Sequence, residues 1–172
     1  MITIAQVNTP AEIAAVQAIL REYTAWAYTL EAASDDAPTF EGLERELATL
    51  PGIYAPPAGR LLLATLDGEV AGCIALKPHD ATTAELKRLY VRPAARGRDL
   101  GRLLVTTLLD EARAVGYRRL VLDSHHTMRR AHAIYEAAGF SYVPEPDDFP
   151  EHLRGVAVFM ELDLAEPSGG RA

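Results

Sequence analysis

Between Leu86 and Val115 the chain reads as a strand, a short basic loop and an amphipathic helix. The strand, Glu85 to Val91, ends at Arg92-Pro93, where proline can neither donate to a ladder nor leave its neighbour free to turn helical. The loop is Arg96-Gly97-Arg98-Asp99-Leu100-Gly101. The helix, Gly101 to Val115, carries Leu103, Leu104, Leu108, Ala112 and Val115 on one face, with Gly116 just past its end. A helix that starts after a tight loop presents unpaired N–H groups and a partial positive charge, which together cradle phosphate. Gly97 and Gly101 permit the turn, and Arg96 and Arg98 add directed donors. The same pattern also serves as an ordinary strand-to-helix turn. It has neither the three glycines of a dinucleotide loop nor the Gly-Lys-Ser/Thr of a nucleoside triphosphatase.

On the N-terminal side, Met1 to Val7 reads as a strand, and Thr9-Pro10-Ala11-Glu12 has the form of a capping box. Ile13, Val16, Ile19, Leu20 and Tyr23 follow at helical spacing. A polar break at 34–38 precedes a second amphipathic segment with Phe40, Leu43, Leu47 and Leu50, stopped by Pro51-Gly52. The period then changes: residues 60–65 and 69–76 are apolar runs joined by Asp67-Gly68, a strong hairpin signal. Beyond the central unit come a strand at 120–122, a helix at 129–138 closed by Gly139, and a last strand at 156–164. The expected class is mixed α/β or α+β, with residues 1–164 as a single domain and 165–172 as a flexible tail.

The formal net charge of −7 argues against a nucleic-acid binder. Within that acidic chain Arg88, Arg92, Arg96, Arg98 and Arg102 crowd together, which suits a small polyanion or a solvated charged face. No apolar run is long enough to span a bilayer, so no membrane partner is expected. Cys73 has no cysteine partner within the chain, as befits a reducing cytoplasm, and reads as core. The five histidines fit no zinc spacing and read as scattered surface residues, so no metal is expected.

Three segments together resemble the GCN5-related N-acetyltransferase (GNAT) superfamily: Glu85-Leu86-Lys87-Arg88-Leu89-Tyr90-Val91-Arg92-Pro93, then Arg96 to Gly101, then Ile134-Tyr135-Glu136-Ala137-Ala138-Gly139-Phe140. The hairpin at Asp67-Gly68 also falls where that family has one. The resemblance implies a central mixed, mostly antiparallel sheet flanked by helices and splayed between strands 85–91 and 120–124. It implies acetyl-CoA as co-substrate, with the backbone of Leu89, Tyr90 and Val91 along the pantetheine arm. The pyrophosphate falls to Arg96, Gly97, Arg98, Asp99, Leu100 and Gly101. Asp99 departs from the family pattern, which has glycine there. Its turn survives if Asp adopts positive φ, with the carboxylate turned away from phosphate or paired with Arg98 or Arg102. Met128 departs too, standing where many members place an asparagine.

The implied reaction is direct attack of a primary amine, on a small molecule or peptide, upon the thioester in a ternary complex. It needs a base, because an alkylamine is mostly protonated near pH 7. It also needs a donor to the developing oxyanion and an acid for the thiolate. Glu85 is the candidate base, with Asp123, His125 and His126 in reserve; the bland alternative is a solvated strand glutamate. Tyr135 is the candidate acid, against a plain core tyrosine. The acceptor region draws on Trp26, Tyr28, Tyr54 and the acidic Glu145, Asp147, Asp148 and Glu151, which also read as a solvated loop. The resemblance admits a homodimer. A non-catalytic acyl-CoA-binding module could use the same loop.

Overall fold

The computed structural model describes residues 1–31, 42–149, 151 and 154–164. The polar break at 34–38, Phe40, the tail at 165–172, His152 and the side chain of Tyr28 lie outside the described parts. Seven strands form one sheet: β1 (Ile2–Gln6), β2 (Arg60–Leu66), β3 (Glu69–Pro78), β4 (Thr83–Val91), β5 (Arg119–His125), β6 (Ser141–Val143) and β7 (Ala157–Asp163). Their order is β1-β2-β3-β4-β5-β7-β6, and every neighbouring pair is antiparallel except the parallel pair β4–β5. Among the described residues four α-helices accompany it: α1 (Pro10–Glu31), α2 (Leu43–Ala48), α3 (Leu100–Val115) and α4 (Arg129–Ala137). The sheet expected from the resemblance is therefore present.

Local chemistry accounts for the element ends. The Thr9 hydroxyl accepts from Glu12 N–H at 3.2 Å, while the Glu12 carboxylate accepts from the N–H groups of Asn8 and Thr9 at 2.9 Å each. This reciprocal cap starts α1. Asp67 and Gly68 both take positive φ, 53° and 87°, as a two-residue hairpin turn requires. Gly116 closes α3 in the left-handed region, its N–H reaching back to Ala112 and Arg113.

The sheet separates two cores. On one face α3 buries Leu104, Val105 and Leu108 against Leu62, Ile74, Ala84, Leu86 and Leu120. On the other, Val16, Ile19 and Leu20 of α1 and Leu47 of α2 meet Leu61, Leu63, Cys73, Ala75 and Tyr90. Cys73 is fully buried, as its strand position suggested. Three features differ from the sequence reading. The stretch after Pro51 contains a 3-10 turn, Gly52–Tyr54. The three-residue edge strand β6 was not anticipated. Among the described histidines, His132 is buried rather than on the surface, with Nε2 3.0 Å from Ser124 Oγ.

Strand β4 is where the sheet opens. Its pairing with β5 ends at Glu85↔Val121, while β5 goes on pairing with β7 as far as His125. On its other side, Cys73 pairs with Tyr90 but Ala75 pairs with Lys87. Ile74 thus faces two residues, Arg88 and Leu89, which defines a β-bulge. The bulge reverses the alternation of side chains. Leu86 belongs to the α3-side core, yet Tyr90, four residues on, belongs to the opposite one.

Candidate active site

The divergence of β4 from β5 and the start of α3 open on one cavity of about 900 Å³. Its walls are Leu89, Tyr90 and Val91 of β4, the loop residues Arg96, Gly97 and Asp99, and Leu100, Gly101 and Arg102 of α3. Opposite stand Tyr23 and Trp26 of α1, Thr127 and Met128 before α4, and Arg129, Arg130, Ala131 and Ile134 of α4. Eight of the nine residues expected to hold a coenzyme therefore surround one space. Arg98 is exposed and is not part of the wall.

α3 begins without a side-chain cap, so the N–H groups of its first turn need a partner from outside the helix. Asp99 sits at φ 62°, ψ 10°, the left-handed conformation that glycine would take without strain. Its carboxylate pairs with Arg102, Nε donating at 2.6 Å. The turn survives and the negative charge is held by a neighbour. Both partners are more than half exposed, so the pair adds little stability. Asp99→Gly is expected to raise coenzyme A affinity about threefold to tenfold, because it removes a carboxylate from the anion site and releases Arg102. Isothermal titration of the two proteins checks this.

The arginine cluster is split. Arg92 donates to Glu22 through Nε at 2.8 Å and Nη2 at 2.5 Å. Arg88, counted with the cluster in the sequence, turns away into a buried pair with Glu46 of α2. Arg96 remains at the cavity, its guanidinium 5.1 Å from the Trp26 ring centre and 5.9 Å from that of Tyr90. Arg129 and Arg130 add two more cations, at the positive end of α4 where helix electrostatics disfavour them. Sequence reading missed Tyr23, Arg129 and Arg130, since nothing in their local pattern marks them as neighbours of the loop.

Glu85 lies at the last position of β4 that pairs with β5, its side chain only 13% exposed. Lys87 Nζ is 3.4 Å from Oε1 and Lys77 Nζ 3.8 Å from Oε2. It is thus not a solvated strand glutamate. Asp123, on β5, is exposed, yet partial desolvation where its carboxyl lies against the protein pushes it above the usual range. Lys87 opposes that shift, and Glu85 adds to it. Tyr135 is 6% exposed, its ring 5.9 Å from that of Phe140. Burial pushes its hydroxyl well above the usual tyrosine range, with Tyr23 and Asp123 adding to the effect; it stays protonated and can donate. Tyr54, expected near the acceptor, is instead fully buried.

Residues 17–140 match the family model described as the acetyltransferase (GNAT) family. The chain belongs to that family. An uncharacterized N-acetyltransferase of Schizosaccharomyces pombe is 35% identical over 130 residues, 74% of this chain and 78% of the relative. An acetyltransferase of Streptococcus agalactiae has the same fold, with a TM-score of 0.74 at 25% identity, covering 94% of this chain and 98% of the other. The PaiA N-acetyltransferase of Thermoplasma acidophilum, solved in complex with coenzyme A, superposes with a TM-score of 0.72 at 19% identity, covering 95% of this chain and 99% of that one. This GNAT protein is an acetyl-CoA-dependent N-acetyltransferase. No described helix is long and apolar enough to cross a membrane. Among the described residues no group of three or more His, Cys, Asp or Glu is placed to hold a metal.

Proposed function

We propose that this enzyme moves an acetyl group from acetyl-CoA to a primary amine of a small molecule or peptide, by direct attack while both are bound. The observation that carries this reading is the shared cavity: an uncapped helix start, an opened strand and a guanidinium meet around it. Acetyl-CoA supplies the activated thioester, and coenzyme A leaves as the thiol. The first-turn N–H groups of α3, with Arg96, receive the diphosphate. The free edge of β4 at Leu89, Tyr90 and Val91 pairs with the pantetheine amides. An N–H of Leu89 or Tyr90 donates to the thioester oxygen as its charge grows.

Glu85 takes the proton of the acceptor ammonium, directly or through one water, and Asp123 stands beside it as a second carboxylate. Tyr135 delivers a proton toward the departing sulfur. A screen of amines with acetyl-CoA, following free thiol, tests the reaction. At least one amine is expected to release thiol stoichiometrically with acetylated product. Tyr135→Phe is expected to lower kcat about 100-fold or more while coenzyme A binding persists. An amine-independent thiol release, or none with any amine, would oppose the proposal.

A further inference from the structure

The mechanism leaves unused a buried charged cluster beside the β4 bulge, on the α1/α2 face of the sheet. Arg88 sits in the bulge at φ 61°, a conformation that side chains other than glycine rarely take without something to hold it. Its fork closes on Glu46 of α2, Nε donating to Oε1 at 2.9 Å and Nη2 to Oε2 at 2.6 Å. The Tyr54 hydroxyl donates to the same Oε1 at 2.7 Å. Both charged side chains are more than four-fifths buried, at 16% and 17% exposure. On the backbone, the carbonyl of Arg88 faces Cys73 Sγ at 3.4 Å. The next two residues, Leu89 and Tyr90, line the cavity.

We propose that Glu46 is a positioning residue, which holds the β4 bulge through its grip on Arg88 and so aims the N–H of Leu89 or Tyr90 at the thioester. The inference rests on the oxyanion role given to those groups above. The physical logic is one of competition. An unbulged β4 would keep Leu86, Arg88 and Tyr90 on one face of the sheet, burying the guanidinium in the α3-side core. The fixed carboxylate of Glu46 on the α1/α2 side makes the bulged register the one in which that charge is paired. The Tyr54 hydroxyl holds the carboxylate in place, and the fork geometry fixes both Arg88 nitrogens rather than a single point charge.

The test separates aim from folding. Glu46→Gln keeps the side chain's shape but loses the charge-assisted fork. Measured where circular dichroism shows it fully folded, it is expected to have kcat lowered about 10- to 100-fold, with coenzyme A affinity within threefold of the parent. At position 88, Arg88→Gly, Arg88→Ala and Arg88→Val all abolish the ion pair but differ in tolerance of positive φ. Activity is expected to rank Gly above Ala above Val. A folded Glu46→Gln enzyme with kcat within twofold of the parent overturns the proposal while leaving the acetyl-transfer reading intact. Equal activity across folded position-88 variants overturns it as well. An inactive parent protein would instead count against the reading on which it rests.

Discussion

Glu85→Gln is expected to lower kcat by about 10²- to 10⁴-fold, the range for loss of a positioned proton acceptor, with coenzyme A affinity unchanged. The amide is isosteric, so packing beside Lys77 and Lys87 is preserved while the basic oxygen is lost. Glu85 lies where β4 and β5 part, so the defect belongs to the acceptor side rather than to the diphosphate site. Pre-steady-state mixing resolves the two: binding of acetyl-CoA should proceed as in the parent, and acetyl transfer alone should slow. A second signature is the pH profile. In the parent, the rate should rise with pH as the acceptor ammonium gives up its proton to the proposed base. In Glu85→Gln that rise should move toward the free amine's own ionisation. A variant that retains the parent's kcat would transfer the base role to Asp123, the adjacent carboxyl.

Gly101→Val is expected to abolish measurable coenzyme binding, a loss of more than about 100-fold. A Cβ on Gly101 would come 2.8 Å from Ile134 Cδ1 and 3.9 Å from Val91 Cγ2. Gly101 therefore lets α3 start close against both α4 and the end of β4. Valine's branches must extend either into that contact or into the cavity mouth, covering the N–H groups that the diphosphate needs. Because Gly101 is not among the residues with positive φ, the defect is one of space and not of backbone strain. Gly101→Ala should show a smaller loss, since the nearest atom is the movable end of a side chain. Fluorescence titration of Trp26, which lines the same cavity, follows both variants.

What the sequence disclosed was local. The cap of α1 needs only Thr9 and Glu12, three residues apart, and both hydrogen bonds form. The Asp67-Gly68 turn and the α3 helix are likewise written within a few residues. The site's Gly/Arg loop was legible for the same reason, as was the tolerance of positive φ at Asp99. The bulge in β4 was not. It depends on Glu46, 42 positions from Arg88, and a bulge shifts the alternation on which strand reading relies. Arg88 consequently looked like one more cation for a ligand. Arg129 and Arg130 gave no sign of facing the loop, because that depends on how α4 packs beside α3. β6 escaped notice because three residues on an edge carry too short a pattern to register. His132 looked like a surface histidine because its partner, Ser124, lies on the preceding strand.

The central claim is that a diphosphate is held at the opening of α3. Calorimetric titration of the protein with coenzyme A and, separately, with pantetheine tests it most directly, since pantetheine carries the same thiol arm without phosphate. The account predicts that coenzyme A binds and that pantetheine binds at least 100-fold more weakly. Equal affinity for the two, or no heat with either, would contradict it.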